Sequence, residues 1–98
     1  MTLPIVLRVE AQAEFDLAFD WYEEQQSRLG VKFLTSVAEV LERIQSFPEV
    51  CEIVFEDVRR AIVPKFPYLI LYKIEPEQIV ILAVFHSKRD PQIWRDRV

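Results

Sequence analysis

Hydrophobic and polar positions follow two different rhythms along the chain. Ala11, Phe15, Ala18, Tyr22 and Leu29 recur at helical spacing, which predicts an amphipathic helix over residues 11–29. Leu17 and Trp21 lie roughly 90 to 130° from that stripe at about 100° per residue, so they are expected to meet a second helix. Phe33, Val37, Val40, Leu41, Ile44 and Phe47 define this second helix, and Pro48 ends it. Gly30, the only glycine, falls between the two. A left-handed helix terminus favours glycine, so Gly30 is expected to break one helix from the next. The pattern gives a tight helical hairpin.

From residue 51 the rhythm changes. Segments Cys51–Phe55, Val58–Val63, Tyr68–Ile74 and Gln78–Phe85 are rich in β-branched and aromatic residues and predict strands. Pro64 and Pro67 bracket one turn, and Glu75-Pro76-Glu77 makes another. Leu3–Val9 predicts a short first strand, with Pro4 tolerable near its start. The run Ile79–Phe85 is apolar on both faces, so it belongs in the middle of a sheet covered on both sides. The expectation is an α+β domain spanning residues 1–98. A strand and a helical hairpin lead into a three- to four-stranded antiparallel sheet, with the helices on one face.

Composition narrows the class. With 98 residues, 51% of them hydrophobic, the chain can bury one core and has no disordered character. No apolar run approaches the roughly 20 residues needed to span a bilayer. The N-terminus lacks the basic start and small-residue cleavage site of a signal peptide, so a cytoplasmic protein is expected. A single cysteine, Cys51, and a single histidine, His86, leave no internal disulfide and no zinc cluster. Neither metal nor cofactor is expected. The net charge of −4 hides an asymmetry. Residues 1–57 hold twelve acidic and four basic side chains, while residues 58–98 hold four acidic and eight basic. Such polarity can orient a partner, although a helical pair often carries acids simply to solvate its outer face.

Three segments carry candidate chemistry: Arg59-Arg60, Phe66-Pro67-Tyr68, and the stretch from His86 to Trp94. Adjacent strand residues point to opposite faces, so Arg60 is expected to share a face with Ile62, and Arg59 with Ala61. Guanidinium groups suit phosphate or carboxylate, but a surface arginine is more often only solvated. His86 precedes Lys88 and Arg89, and an imidazole beside cations can serve as acid or base on a phosphodiester. A histidine at a strand end more often bonds neighbouring backbone or a carboxylate. Asp90-Pro91 predicts a turn that caps a short terminal helix, from which Trp94 packs back on the sheet. That anchoring would gather Lys88, Arg89, Arg95 and Arg97 into a basic cluster beside His86. Tyr68 and Tyr72 share a sheet face and are expected in the core with their hydroxyls at its rim. Cys51 has no basic neighbour in sequence to activate a thiol.

Taken together, these residues resemble the RelE/ParE superfamily of toxins from bacterial type II toxin–antitoxin modules, also called plasmid stabilisation proteins. The resemblance covers nearly the whole chain. It runs through Ala13-Glu14-Phe15-Asp16, Trp21-Tyr22-Glu23-Glu24-Gln25, Leu29-Gly30 with Phe33, and Val58-Arg59-Arg60. It continues through Phe66-Pro67-Tyr68 with Tyr72, then Ile79 to His86, Arg89-Asp90-Pro91 and Trp94. Each piece is weak alone; their order and spacing are specific. The resemblance implies growth arrest by a toxin that a small, partly disordered antitoxin neutralises, the toxin alone being a monomer or weak dimer. It is nearer the ParE-like group, which acts on DNA gyrase without cutting RNA. The alternative is a RelE-like, metal-independent endoribonuclease cutting messenger RNA on the ribosome, for which Arg60, Lys65, His86 and Arg89 are the candidate residues. A non-toxic binding domain of the same fold is a further alternative. For contacts to target or antitoxin the candidates are Arg60, His86, Lys88, Arg89 and Arg95, with Trp21, Gly30, Tyr68, Tyr72 and Trp94 as structural residues. A sequence pI near 5.0 is a poor cationic footprint for a ribosome ligand.

Overall fold

The run of apolar residues at the end of the chain organises the molecule. In the computed structural model, which describes residues 2–98, that run becomes β5 (Ile79–His86). Before it come β1 (Ile5–Leu7), α1 (Val9–Gln25), α2 (Leu29–Ser46), β2 (Ile53–Phe55), β3 (Val58–Ile62) and β4 (Tyr68–Ile74); α3 (Gln92–Arg95) follows. The sheet has five strands in the order β1-β5-β4-β3-β2. This corrects the expected three- to four-stranded antiparallel sheet. The first strand joins as well, and it lies parallel to β5, with Ile5 opposite Ile79 and Leu7 opposite Ile81. It is shorter than Leu3–Val9 because the chain turns into α1 at Val9.

Two layers cover the sheet. On one face Ala11, Ala18 and Tyr22 of α1 and Phe33, Val37 and Ile44 of α2 pack on Ala61, Ile70, Tyr72 and Ile81. Rings of Phe15, Tyr22, Phe33, Phe66 and Tyr68 contact one another with centroids between 5.0 and 6.2 Å for the pairs formed. Such pairs contribute about 0.5 to 1.5 kcal/mol each beyond their burial. Tyr72 lies fully in this core, and its hydroxyl donates to the Pro48 carbonyl at 2.7 Å. On the other face Trp94, only 4% exposed, packs with Val58, Leu71, Leu82, Ala83 and Phe85. The second covering expected for β5 is thus α3.

The alternation of β5 is interrupted once. Leu71 pairs with Ala83 but Tyr72 pairs with Ile81, so Leu82 is an extra residue, a β-bulge. Leu82 and Ala83 consequently face the α3 layer together, while Val84 returns to the helical layer. His86, two residues on, also looks toward the helices.

The helical hairpin departs from expectation at its turn. Helix α1 stops at Gln25, and the left-handed residue is Arg28, with φ of 71°, not Gly30. Gly30 is the second residue of α2, and its φ is not positive. What it supplies is close approach. A Cβ there would stand 2.7 Å from the Phe19 carbonyl oxygen and 2.5 Å from Cγ of Glu23. The Glu23 carboxylate meanwhile accepts from the amides of Val31 at 3.1 Å and Arg28 at 3.3 Å, closing the open end of α2. Gly30→Ala is therefore expected to cost about 1 to 3 kcal/mol, because rigid backbone opposes the methyl group. A urea melt reads this as a lower midpoint at unchanged slope.

Leu17 and Trp21 do not meet α2. They stay 71% and 55% exposed and lie along the outer side of α1.

Candidate functional site

At the end of the sheet where β5 finishes, a cleft opens between α1 and β4–β5. Leu17, Ala18 and Trp21 form one wall, Tyr68, Val84 and His86 the other, with Glu14 and Arg89 at one side. Tyr68 stands opposite His86 in the sheet, and the two rings meet edge-on at 5.2 Å. Nδ1 of His86 accepts the Lys88 amide at 3.1 Å. In the neutral ring the proton therefore sits on Nε2. Burial pushes the Tyr68 hydroxyl above its usual pKa, with Tyr22 and Glu14 adding to the rise and Arg89 opposing it. Tyr68 is a neutral hydrogen-bonding group at physiological pH.

Glu14 governs the charge of the site. Its side chain is only 12% exposed and lies where β1 has left the edge of β5. There it takes the place of a strand: Oε1 accepts the Val84 amide at 3.2 Å. Arg97 grips the same carboxylate with two bonds of 2.9 Å and donates to the Leu82 carbonyl at 3.1 Å. Arg8 in turn donates to the Arg97 carbonyl at 3.0 Å. Arg89 adds a third guanidinium contact to Glu14 at 3.0 Å and lies over the Phe85 ring. The bonds to Glu14 raise the pKa of Arg97 further, burial opposing. The carboxylate is fully engaged.

The expected basic cluster beside His86 does not form. Once Trp94 is seated, Arg95 turns to the other layer, stacking over Phe55 and Trp94. Arg97 and Arg89 are drawn to Glu14, and Lys88 is in solvent. Asp90 does cap the turn, accepting the Gln92 amide at 2.9 Å. Nor do Arg60, Lys65, His86 and Arg89 come together. Arg60 pairs with Glu52 at the sheet edge beyond β2, while Lys65 lies in the β3–β4 turn, in a different cleft. Arg59 reaches back over the helical face to the carbonyls of Glu49 and Cys51. Among the described residues no group of His, Cys, Asp and Glu could hold a metal, and no helix is long and apolar enough to cross a membrane.

Sequence reasoning did not single out Glu14, yet a signal was there. Residue 14 sits with Phe15 on the stripe of Ala11, Ala18 and Tyr22, and a carboxylate on a buried stripe needs a partner. Trp21 and Leu17 are walls of the cleft and not filler between helices.

The chain of the chromosomal ParDE TA system from P. aeruginosa has the same fold. It superposes with a TM-score of 0.77 over 88% of this chain and 97% of that one, at 16% identity. No curated protein matches in a sequence search. Residues 5–91 match the family model described as "ParE toxin of type II toxin-antitoxin system, parDE". A match over that much of the sequence, with the element order found above, means that the chain belongs to the ParE toxin family of type II toxin–antitoxin systems.

Proposed function

We propose that this toxin inhibits DNA gyrase without cutting nucleic acid and is held inactive by a cognate antitoxin. The observation that carries the reading is where the cations go. Cleaving RNA through its 2′-hydroxyl calls for a base, an acid, and free positive charge at the pentavalent phosphorus. Around His86, Arg89 is tied to the Glu14 carboxylate that it shares with Arg97, Lys88 is exposed to solvent, and Arg60 and Lys65 lie elsewhere. The cleft around His86 is instead walled by Leu17, Trp21 and Tyr68, side chains suited to gripping a protein surface. The acidic pI supports the same choice. The exposed Leu17 and Trp21 also give an antitoxin segment apolar anchors on α1.

Induced expression, with and without the neighbouring reading frame, tests both parts. The expected result is growth arrest with loss of supercoiling and intact messenger, relieved by the neighbour. Trp21→Ala, at an exposed position, is expected to reduce toxicity without lowering the melting temperature. Messenger cleavage at the ribosomal A site with normal supercoiling, abolished by a well-folded His86→Ala, would establish the nuclease instead.

A further inference from the structure

A second cleft, of about 620 Å³, lies at the same end of the molecule. Arg28, Lys32 and Lys65 line it, over an apolar floor that includes Leu29, Val31 and Phe66. It is separate from the His86 cleft; Phe66 of the one and Tyr68 of the other both contact the Tyr22 ring between them.

Two features characterise these cations. Arg28, Lys32 and Lys65 converge on one cleft whose only acidic lining residue is Glu39, and none of the three makes a salt bridge among the described residues. Moreover, Arg28 and Lys65 hold left-handed backbone, with φ of 71° and 69°. Glycine or asparagine would take such positions with less strain. The chain thus places a long cation at two turns where its backbone is disfavoured, and both cations enter one cleft. Strain retained where a smaller residue would relieve it marks a place kept for its side chain.

We propose that this cleft binds a short acidic segment of a partner protein in which carboxylate side chains alternate with apolar ones. Carboxylates match the three unpaired cations, and the apolar side chains match the floor. A nucleic-acid strand is a poorer fit. It would carry uninterrupted negative charge past Glu39, which also lines the cleft. Such binding would hold whichever target the toxin acts on.

The test uses a labelled peptide of interspersed glutamate and leucine, followed by fluorescence anisotropy against the purified toxin. A lysine-for-glutamate peptide and a single-stranded oligonucleotide are the comparisons. The acidic peptide is expected to bind and the lysine peptide not. In the double variant Arg28→Gly/Lys65→Gly, affinity should fall at least ten-fold while the melting temperature rises, because the backbone strain is relieved. Lys32→Glu, within ordinary helix, should lose affinity to a similar extent. Unchanged affinity in either variant overturns the proposal. So does an oligonucleotide that binds as tightly as the acidic peptide and responds to the same substitutions.

Discussion

Replacing Glu14 by alanine is expected to destabilise the fold by about 3 to 5 kcal/mol. Glu14 and Arg97 are 12% and 13% exposed, so the substitution leaves a nearly buried guanidinium without its counter-charge. It also strips the Val84 amide of its acceptor, a loss of about 1 to 3 kcal/mol in its own right. Urea denaturation followed by circular dichroism provides the measurement. Glu14→Gln keeps an oxygen for one donor and should fall between wild type and Glu14→Ala. The double variant Glu14→Ala/Arg97→Ala should be markedly less damaged than the sum of its parts, since neither charge then remains unpaired. Arg89→Ala is the contrasting case. Its side chain is 45% exposed and Arg97 still holds the carboxylate, so the change should stay within about 1 kcal/mol. A Glu14→Ala midpoint equal to that of wild type would show that the carboxylate does not hold the chain terminus.

Trp94→Ala is the other large effect, with an expected cost of about 3 to 5 kcal/mol. Helix α3 has four residues and cannot stand by itself; the indole seated against Leu82, Ala83, Phe85 and Phe55 keeps it in place. Optical signals separate the contributions, because the protein's two tryptophans differ sharply. Trp94 is 4% exposed and Trp21 is 55% exposed. Removing Trp94 should therefore leave the red-shifted emission of a solvated indole, while Trp21→Ala leaves the blue-shifted one. A melt unchanged by Trp94→Ala would mean that α3 does not contribute to the core. Because Arg97 follows Trp94 closely in the chain, loosening α3 also weakens the grip on Glu14, and the two substitutions should couple.

How much of this was visible in the residues depends on the length scale. Periodicity at Phe33, Val37, Val40 and Ile44 is local, and it located α2 closely. The doubly apolar run at Ile79–Phe85 likewise announced an interior strand with two coverings. The Asp90-Pro91 turn and the seating of Trp94 were also legible from their immediate neighbours. What lay beyond reach was decided by distant pairing. Arg97 and Glu14 are separated by 83 positions, and nothing local indicates that the last arginine of the chain is drawn away from His86. The parallel entry of β1 beside β5 is equally remote. Glycine misled for a different reason. A lone glycine between two helices suggests backbone freedom, whereas Gly30 is required for its missing side chain, and Arg28 bears the unusual dihedral. The site suffered most, since its composition depends on which distant charges find one another.

The bulge at Leu82 lets β5 carry one residue more than strict alternation allows without changing which way its end faces. A strand keeps a count modulo two, and Leu82 adds one to that count between Ile81 and Ala83. Either residue can change to another apolar one while the tally stands. Deleting one of Leu82 and Ala83 would restore plain alternation: Val84 and His86 would still face the helices and Phe85 the α3 layer. The imidazole would keep its place beside Tyr68 and Trp21, whereas losing a residue between Ala83 and His86, where alternation is regular, would turn it to the α3 layer. Relatives that lack one residue at the bulge should therefore keep the same surface at this end of the sheet, while those that lack one after Ala83 should carry a different one, even where their neighbouring residues are identical.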